Sequence, residues 1–440
     1  MRAMLSRRNR QILLLAVPSI VQNITVPLLG LCDVAIAGHI GDAVTIGAIA
    51  VGSMIFNVMY WLCGFLRMGT SGITAQALGG RRIGDAVCAL RRGLMVALSI
   101  GIAIVALQLP LRSLSLWLMQ PTADVASLCL PYYNICVWGA PAVLGLYALT
   151  GWFIGMQNTR TPMVIAIVQN VVNIVASLLF VVVGGMGIEG IATGTLVAQW
   201  TGFALALVLL SLFYGKRIRA VWKPNDPSAH TQRPVGLRRF LSINRDIFLR
   251  TLCLVAVNLY FTSAGARQGA LLLAVNTLLM QLFTLFSYFM DGFAYAGEAL
   301  AGRYYGARNH DALNDTVRCL MRWGWGVTTL FTLLYWLGGA PFLRLLTDDA
   351  TVVAAAREYL PWALLIPLSG MAAFVWDGVF IGLTYTRGML YSCLLATVAF
   401  FGLWACLQSI WANHALWFAL IVYLALRGIV QGLLYRKNYR

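Results

Sequence analysis

Two stretches of this chain share most of their residues: Gly151-Trp-Phe-Ile-Gly-Met-Gln-Asn-Thr-Arg160 and Gly378-Val-Phe-Ile-Gly-Leu-Thr-Tyr-Thr-Arg387. They lie 227 positions apart. A weaker similarity links Gly80-Arg-Arg-Ile-Gly-Asp-Ala86 with Gly306-Ala-Arg-Asn-His-Asp-Ala312, at a separation of 226. Because two separate segments repeat at almost the same offset, the sequence predicts a duplicated architecture. Repeated halves are typical of many secondary transporters.

The composition predicts an integral membrane protein. Of the 440 residues, 60% are hydrophobic and 11% are charged, whereas about 25% of the residues in a soluble domain are charged. Apolar stretches long enough to cross a hydrocarbon core of about 30 Å predict twelve transmembrane helices, six in each half. These predicted helices lie at 11–37, 45–70, 86–110, 126–155, 162–183, 188–214, 246–265, 271–297, 318–342, 352–383, 387–407 and 414–435.

The predicted fold is therefore all-α, with two six-helix lobes. The expected divisions are an N-lobe at 1–215, a basic cytoplasmic linker at 216–244 and a C-lobe at 245–440. Six helices per half return the chain to the side from which it entered, so the internal repeat is expected to be parallel. Lys and Arg concentrate in alternate loops, which by the positive-inside rule predicts that both termini are cytoplasmic.

The net charge of +17 does not indicate a nucleic-acid-binding protein. The basic residues are spread over alternate short loops, where membrane topology and anionic lipids account for them. The nine Cys lie in or beside predicted helices without a C-x-x-C pair, and the four His lie in or next to loops. We therefore predict no metal site and no disulfide framework. No sequence motif indicates a bound cofactor.

Asp33 is the sharpest candidate for a functional residue. An ionisable side chain costs at least about 2.5 kcal/mol at the bilayer centre and usually serves a purpose there. Pro18 and Pro27 precede it in predicted helix 1 and allow that helix to bend. A carboxyl group in apolar surroundings keeps its proton more readily than one in water, as a proton carrier requires. The alternative is a structural anchor, or a residue at the outer surface beside His39 and Asp42.

Polar side chains in predicted helices 5 and 6 are candidates for a hydrogen-bond network with Asp33, although such groups also hold membrane helices together without further function. These candidates are Asn170, Asn173 and Thr195.

The second half carries its own acidic candidates. Asp291 and Glu298 are seven residues apart, so they share one face of predicted helix 8. With Asp377 of predicted helix 10, they are expected to bind a cation or meet the charge of a substrate. The alternative for Glu298 is an ion pair with Arg303 at the cytoplasmic end. Arg67, the one arginine that we place clearly within the membrane, is either a counter-charge for these acids or a structural partner.

Aromatic and Met side chains are expected to line a central cavity between the lobes, with the two polar clusters on opposite sides. Such side chains provide adaptable apolar and cation–π contacts, although most of them in membrane helices pack or face lipid. The candidates are Tyr60, Trp61, Met68, Tyr147, Met280, Phe283, Phe286 and Met290.

Several motifs together carry a family resemblance. Pro27-Leu-Leu-Gly-Leu-Cys-Asp33, Leu66-Arg-Met68, Asp291-Gly-Phe-Ala-Tyr295 and Asn413-His-Ala-Leu-Trp417 occur in this order. In order, spacing and duplication they resemble the multidrug and toxic compound extrusion (MATE) family over nearly the whole chain. The resemblance implies proton coupling at Asp33, with an amide at Asn173 and a hydroxyl at Thr195 near it.

Two departures from the family pattern bear on ion coupling. Relatives often have a second acid one turn after Asn173, where this chain has Ser177. Predicted helix 7 also lacks the mid-membrane glutamate of a sodium-coupled branch, because Asp246 lies at the cytoplasmic end of that helix. The resemblance therefore favours protons over sodium, with sodium binding at Asp291 and Asp377 as the alternative.

The sequence thus predicts a secondary active multidrug efflux antiporter in the bacterial inner (plasma) membrane. It is expected to export amphipathic, often cationic organic compounds in exchange for protons by alternating access. Small organic substrates, protons and the lipid bilayer are the expected partners. One rival is a lipid or lipid-linked-sugar flippase, which would need several Arg or Lys in its cavity. A membrane-embedded enzyme is a weaker rival, because it would need clustered His, Asp or Glu within the membrane.

Overall fold

The computed structural model describes residues 2–40, 43–221, 236–347 and 349–439, and these residues are predominantly helical with no strand among them. A 3-10 turn is formed by Val137–Gly139 and a π-helical turn by Leu179–Val183. The α-helices of the described chain are α1 Arg2–Ile40, α2 Ala43–Leu62, α3 Phe65–Gly79, α4 Ile83–Ala106, α5 Gln108–Met119, α6 Ala123–Cys136, α7 Ala140–Gly155, α8 Arg160–Leu178, α9 Gly187–Val221, α10 Leu237–Arg267, α11 Ala270–Gly306, α12 His310–Leu346, α13 Ala350–Gly382, α14 Thr386–Trp411 and α15 Asn413–Tyr439.

Ten helical segments of the described residues are long and apolar enough to cross a membrane. Two of these segments combine neighbouring helices: Val44–Gly79 covers α2 from its second residue together with α3, and Ala123–Gly155 contains α6 and α7. The helices α1 and α12 are 39 and 37 residues long but are not among the ten. Each of the twelve predicted segments overlaps helical structure. The all-α class is confirmed, whereas the count of twelve spans stays a prediction.

The chain divides into two compact units. The first, here called the N-unit, is Val21–Asn244. The second, the C-unit, comprises Met1–Ile20 and Arg245–Arg440. The helices α1 and α10 therefore contribute residues to both units. Of the predicted linker at 216–244, residues 222–235 lie outside the described residues, as does Asp42.

The N-unit is held together by helix pairs around a buried apolar core. The helix α7 packs on α3 and α4, α2 packs on α6, and α9 packs on α6 and α8. Phe56 stacks on Tyr133 with ring centroids 5.1 Å apart, and Leu66 is fully buried beside them. Trp152 adds a buried hydrogen bond from its indole nitrogen to the Ala86 carbonyl oxygen, at 2.9 Å. In a bilayer, close van der Waals packing and interhelical hydrogen bonds of this kind stabilise the unit.

The C-unit packs α13 against α11, α12 and α15, and α14 against α15. The first residues of α1 belong to this unit and are fixed by polar contacts with α12. Arg8 Nη1 donates to the Ala312 carbonyl oxygen at 2.8 Å and to Thr316 Oγ1 at 3.0 Å. At the other end of the unit, Asp349 caps α13 by accepting from the Thr351 and Val352 backbone amides. The Asp349 contacts use backbone N–H groups that the start of a helix leaves unsatisfied.

The repeated sequence stretches adopt the same local backbone structure. After α7, Gln157 has a positive φ of 65°, and after α13, Thr384 has a φ of 53°. The same three backbone hydrogen bonds close both helix ends, at equivalent positions of the two stretches, for example Asn158 N to Phe153 O and Tyr385 N to Phe380 O. The two segments therefore form turns of the same conformation, in addition to having similar residues.

The weaker sequence similarity also has a structural counterpart, with one correction. Arg81 after α3 and Arg308 after α11 have φ values of 57° and 55°. The helix ends pair Gly80 with Ala307, at the same offset as the two long stretches, because both are the first residue after their helix. Matching by residue type had paired Gly80 with Gly306. Gly80 has an ordinary φ of −75°, so its position does not require glycine. A glycine here is therefore a poor guide to which residues of the two halves are equivalent.

The first glycines of the repeated stretches both permit close helix packing. A Cβ at Gly151 of α7 would collide with the Arg67 carbonyl of α3. A Cβ at Gly378 of α13 would collide with the Ala294 carbonyl of α11. Arg67 and Ala294 are separated by the same offset as the two glycines. Each glycine therefore brings two helix backbones into contact, as small residues do in membrane proteins.

Candidate functional site

Three of the four side chains predicted for proton coupling meet inside the N-unit. Asp33 on α1 is 1% exposed, and its Oδ2 accepts a hydrogen bond from Thr195 Oγ1 of α9 at 3.2 Å. Asn173 of α8 donates from Nδ2 to the same Thr195 hydroxyl oxygen, at 3.0 Å. The Thr195 hydroxyl therefore links the Asn173 amide to the Asp33 carboxyl group by two hydrogen bonds. Side chains of three helices thus meet at one buried acid.

Close packing of α8 on α9 makes this arrangement possible. Gly194 precedes Thr195, and a Cβ at Gly194 would collide with Ser177 of α8. Asn173 and Ser177 are one helical turn apart and fully buried, so they lie on the face of α8 that meets α9. The missing side chain at Gly194 thus lets the Asn173 amide reach Thr195.

The fourth predicted member, Asn170, contacts a different part of α1. Its Nδ2 donates to the Thr25 carbonyl oxygen at 2.5 Å. Thr25 lies eight residues before Asp33, which is about 12 Å along a helix. Asn170 therefore fixes α1 against α8 about two turns from the acid.

Several buried oxygen atoms around Asp33 have no hydrogen-bond partner among the described residues. They are Asp33 Oδ1, Asn173 Oδ1 and Ser177 Oγ. No described Lys or Arg forms an ion pair with Asp33. A buried polar atom without a partner is costly. The unpaired oxygen atoms of this part of the N-unit can therefore accommodate a proton on Asp33.

The buried acid of the C-unit has very different surroundings. Asp377 on α13 is 6% exposed. Its Oδ2 accepts from the guanidinium groups of Arg250 on α10 and Arg427 on α15, the latter at 2.5 Å. Its Oδ1 accepts from Gln431 Nε2 at 2.7 Å. Both oxygen atoms of this carboxylate are therefore bonded, and two cations adjoin it.

Sequence reasoning missed these arginines. Arg250 and Arg427 are not among the candidate residues of the sequence analysis, yet both lie inside candidate membrane spans and are buried. The expectation that Arg67 alone is intramembrane was therefore wrong. One signal was available: Arg427 and Gln431 are one turn apart in the apolar part of α15, which predicts that both side chains face the same interior partner.

The family model described as MatE matches residues 18–179 and 247–403. The chain belongs to the MatE family. The "DNA damage-inducible protein F" of Escherichia coli (strain K12) is 35% identical, covering 100% of this chain and 94% of that protein. The "Probable multidrug resistance protein NorM" of Acinetobacter baylyi is 26% identical, covering 94% and 92%. A crystal structure of MATE in the bent conformation has a TM-score of 0.85 at 19% identity, covering 98% of this chain and 95% of that one.

These similarities confirm the family resemblance read from the sequence. With its candidate spans, the MatE chain is a multi-pass membrane protein from a family of transporters. The match begins at residue 18, and its first part contains Asp33 and Asn173 but ends at residue 179, before Thr195. Its second part ends at residue 403, before Arg427 and Gln431 of α15.

The remaining acidic and basic candidates of the MatE chain lie in separate units. Asp291 is half-buried on α11, and Glu298 lies two turns further along and is buried. Both belong to the C-unit, whereas Arg67 is half-buried on α3 of the N-unit. The acids therefore occupy one continuous helix, as their spacing predicts.

The aromatic and Met candidates differ widely in exposure. In the N-unit, Tyr60 is buried in the apolar core and Trp61 beside it is 43% exposed. In the C-unit, Phe286 and Met290 are fully buried, and Phe286 packs on Phe331 with ring centroids 5.6 Å apart. The half-buried candidates of both units are Met68, Tyr147, Met280 and Phe283.

Proposed function

We propose that this chain is a secondary active exporter that exchanges amphipathic, often cationic organic compounds for protons by alternating access. The observation that carries the proposal is the buried Asp33 carboxyl group, which is hydrogen-bonded to Thr195 and has one free oxygen atom and no described ion pair. Membership of the MatE family and the multidrug resistance named in the NorM relative support the substrate class.

The contrast between the two buried acids supports protons as the coupling ion. A coupling carboxyl group has to exchange its ion during each cycle. Asp33 has only neutral hydrogen-bond partners among the described residues, so a proton can balance its charge. The Asp377 carboxylate is already bonded to Arg250 and Arg427. Sodium would have to displace a guanidinium group to reach it. We therefore assign coupling to Asp33 and a structural role to Asp377.

The proposed coupling predicts the behaviour of the purified chain in liposomes. Adding a fluorescent cationic dye is expected to drive a change of internal pH, because each dye molecule moves against protons. The rate is expected to be the same in sodium-containing and sodium-free buffer. A pH-sensitive probe inside the liposomes measures it, and protein-free liposomes give the background.

Two results would change the assignment. A pH change that needs sodium would favour the sodium-coupled alternative. The absence of a dye-dependent pH change above the background would contradict proton exchange altogether. Lipid translocation would then be the function to test.

Asp291 is proposed to meet the charge of cationic substrates. Replacing it with asparagine is expected to reduce export of a cationic dye at least about tenfold relative to a neutral one, which corresponds to about 1.4 kcal/mol. The cation alone loses a Coulomb partner in a site of low dielectric constant. Dye efflux from cells that carry each variant measures the ratio.

Asp311→Asn is the matched control, because Asp311 is exposed in the first turn of α12 in the same unit. It is expected to leave both dyes unaffected. Equal losses for the two dyes in Asp291→Asn would make Asp291 a structural or coupling residue and remove it from the substrate site.

The same proposal includes a duplicated architecture in an inner membrane. We propose that residues 1–215 and 245–440 are parallel repeats of six transmembrane helices, joined by the linker at 216–244, with both termini cytoplasmic. Support comes from turns, helix ends and glycine contacts that all recur at one offset, that of the repeated stretches. The distribution of basic residues over alternate loops supports the orientation.

A further inference from the structure

The buried ion cluster of the C-unit contains more positive than negative charge. Arg250 and Arg427 both donate to Asp377 Oδ2, so two guanidinium groups share one carboxylate and one positive charge is left over. All three residues are at least nine-tenths buried. An uncompensated charge in the interior of a protein is strongly unfavourable, so this cluster lacks a negative partner.

The nearby acid Asp246 does not supply that partner. Asp246 lies one turn before Arg250 on α10, but its carboxylate is bonded to Arg245 and to the Thr386 hydroxyl. On α15, the Tyr423 ring lies beneath the Arg427 guanidinium group, with 5.4 Å between Arg427 Cζ and the ring centroid. This contact offers only the face of a neutral ring. On α14, the Cys393 thiol contacts the Tyr423 hydroxyl and the Arg250 carbonyl oxygen, each at 3.7 Å.

Each arginine also retains an unused hydrogen-bond donor. Arg250 Nε and Arg427 Nε are buried and have no hydrogen-bond partner among the described residues. The two guanidinium groups converge on one Asp377 oxygen atom, so both unused donors belong to groups that adjoin the same carboxylate. Excess positive charge and unused N–H donors are the two features that an anion-binding site requires.

We propose that Arg250 and Arg427 form a binding site for one monovalent anionic group, a halide ion or a carboxylate. The site is separate from the Asp33 cluster, which belongs to the other unit. It does not depend on the transport function proposed above, because binding alone defines it.

A charge series tests this site. In wild-type protein the cluster has a net charge of one positive unit, which falls to zero in Arg427→Gln or Arg250→Gln and rises to two in Asp377→Asn. Thermal unfolding of the full chain in detergent is followed while sodium chloride or sodium acetate is added. We expect a saturable rise of the midpoint in wild-type protein and no saturable rise in Arg427→Gln. In Asp377→Asn, saturation is expected at an at least about tenfold lower concentration, because a second uncompensated cation strengthens the attraction.

Two matched variants separate the site from general effects of salt. Arg427→Lys keeps the charge and is expected to keep a saturable response. Arg238→Gln removes an exposed arginine from the same helix as Arg250 and is expected to respond as wild-type protein does. A response to chloride alone identifies an inorganic ion, and a response to acetate alone identifies the carboxylate of an organic ligand. Either result supports the site.

The same dependence on salt in all members of the series would overturn the proposal. If the charge variants do not fold, wild-type protein supplies a second measurement. The NMR signal of chloride is expected to broaden in the presence of the protein, and a ligand that shares the site, such as acetate, is expected to reverse the broadening. If neither chloride nor acetate shifts the unfolding midpoint of wild-type protein and chloride does not broaden, the cluster binds no such anion.

Discussion

Replacing Asp33 with asparagine is expected to reduce substrate-coupled proton movement to the level of protein-free liposomes, while the protein still folds. The amide has nearly the shape of the carboxyl group, and its oxygen atom still accepts the hydrogen bond from Thr195. It cannot, however, bind and release a proton. The internal pH of liposomes after addition of a cationic dye measures the coupled movement, and thermal unfolding in detergent measures the fold.

The controls for this result come from the same unit and from the second buried acid. Asp124→Asn changes an exposed acid in the first turn of α6 and is expected to leave exchange unchanged. If sodium were the coupling ion, Asp377→Asn would impair exchange more than Asp33→Asn does. Exchange at the wild-type rate in Asp33→Asn would remove Asp33 from the mechanism.

Much of the fold was predictable because the bilayer restricts what a backbone can do. Backbone polar groups must be satisfied within each membrane-spanning segment, so a long apolar run is almost always a helix. The predicted segments at 162–183 and 188–214 accordingly match α8 and α9 to within a few residues at most ends. Helix ends in water were harder to place: α9 continues through Lys216 to Val221, beyond the last apolar residue of the predicted span.

Within the candidate site, the sequence and the family resemblance together anticipated the contacts of Asp33 with Thr195 and the nearby Asn173. Polar groups inside an apolar bundle have few alternatives to one another, so their pairing follows from their scarcity. Asn170 had an alternative, because it reaches a backbone carbonyl at Thr25. Sequence alone does not show such partners, since every residue carries a carbonyl group.

The Asp377 cluster was not predicted, because a sequence does not show where a long side chain places its charged end. Arg250 and Arg427 lie near runs of basic residues at helix ends, where arginine usually extends towards water. Here both guanidinium groups point inward to the acid on α13. Only the three-dimensional arrangement of α10, α13 and α15 distinguishes a buried ion cluster from a topological signal.

Substitution of the repeated glycines is expected to destabilise both units. In Gly151→Ala and Gly378→Ala the new methyl group meets a backbone carbonyl, at Arg67 and Ala294 respectively. A backbone contact cannot be relieved by a change of rotamer, so the two helices must move apart. Overpacking of this kind costs about 1–3 kcal/mol. Unfolding in denaturant, measured on protein reconstituted in detergent micelles, reports the loss for each variant.

Gly402→Ala provides the matched control, since no atom lies within 4 Å of a Cβ at Gly402 in the middle of α14. There the greater helix propensity of alanine is expected to leave stability unchanged or raise it by up to about 1 kcal/mol. Similar losses at positions 151 and 378 would show that the same helix contact is used twice, once in each repeated stretch, as a duplicated architecture requires. A loss at one position and a gain at the other would contradict that equivalence, because the two alanines would then meet different surroundings.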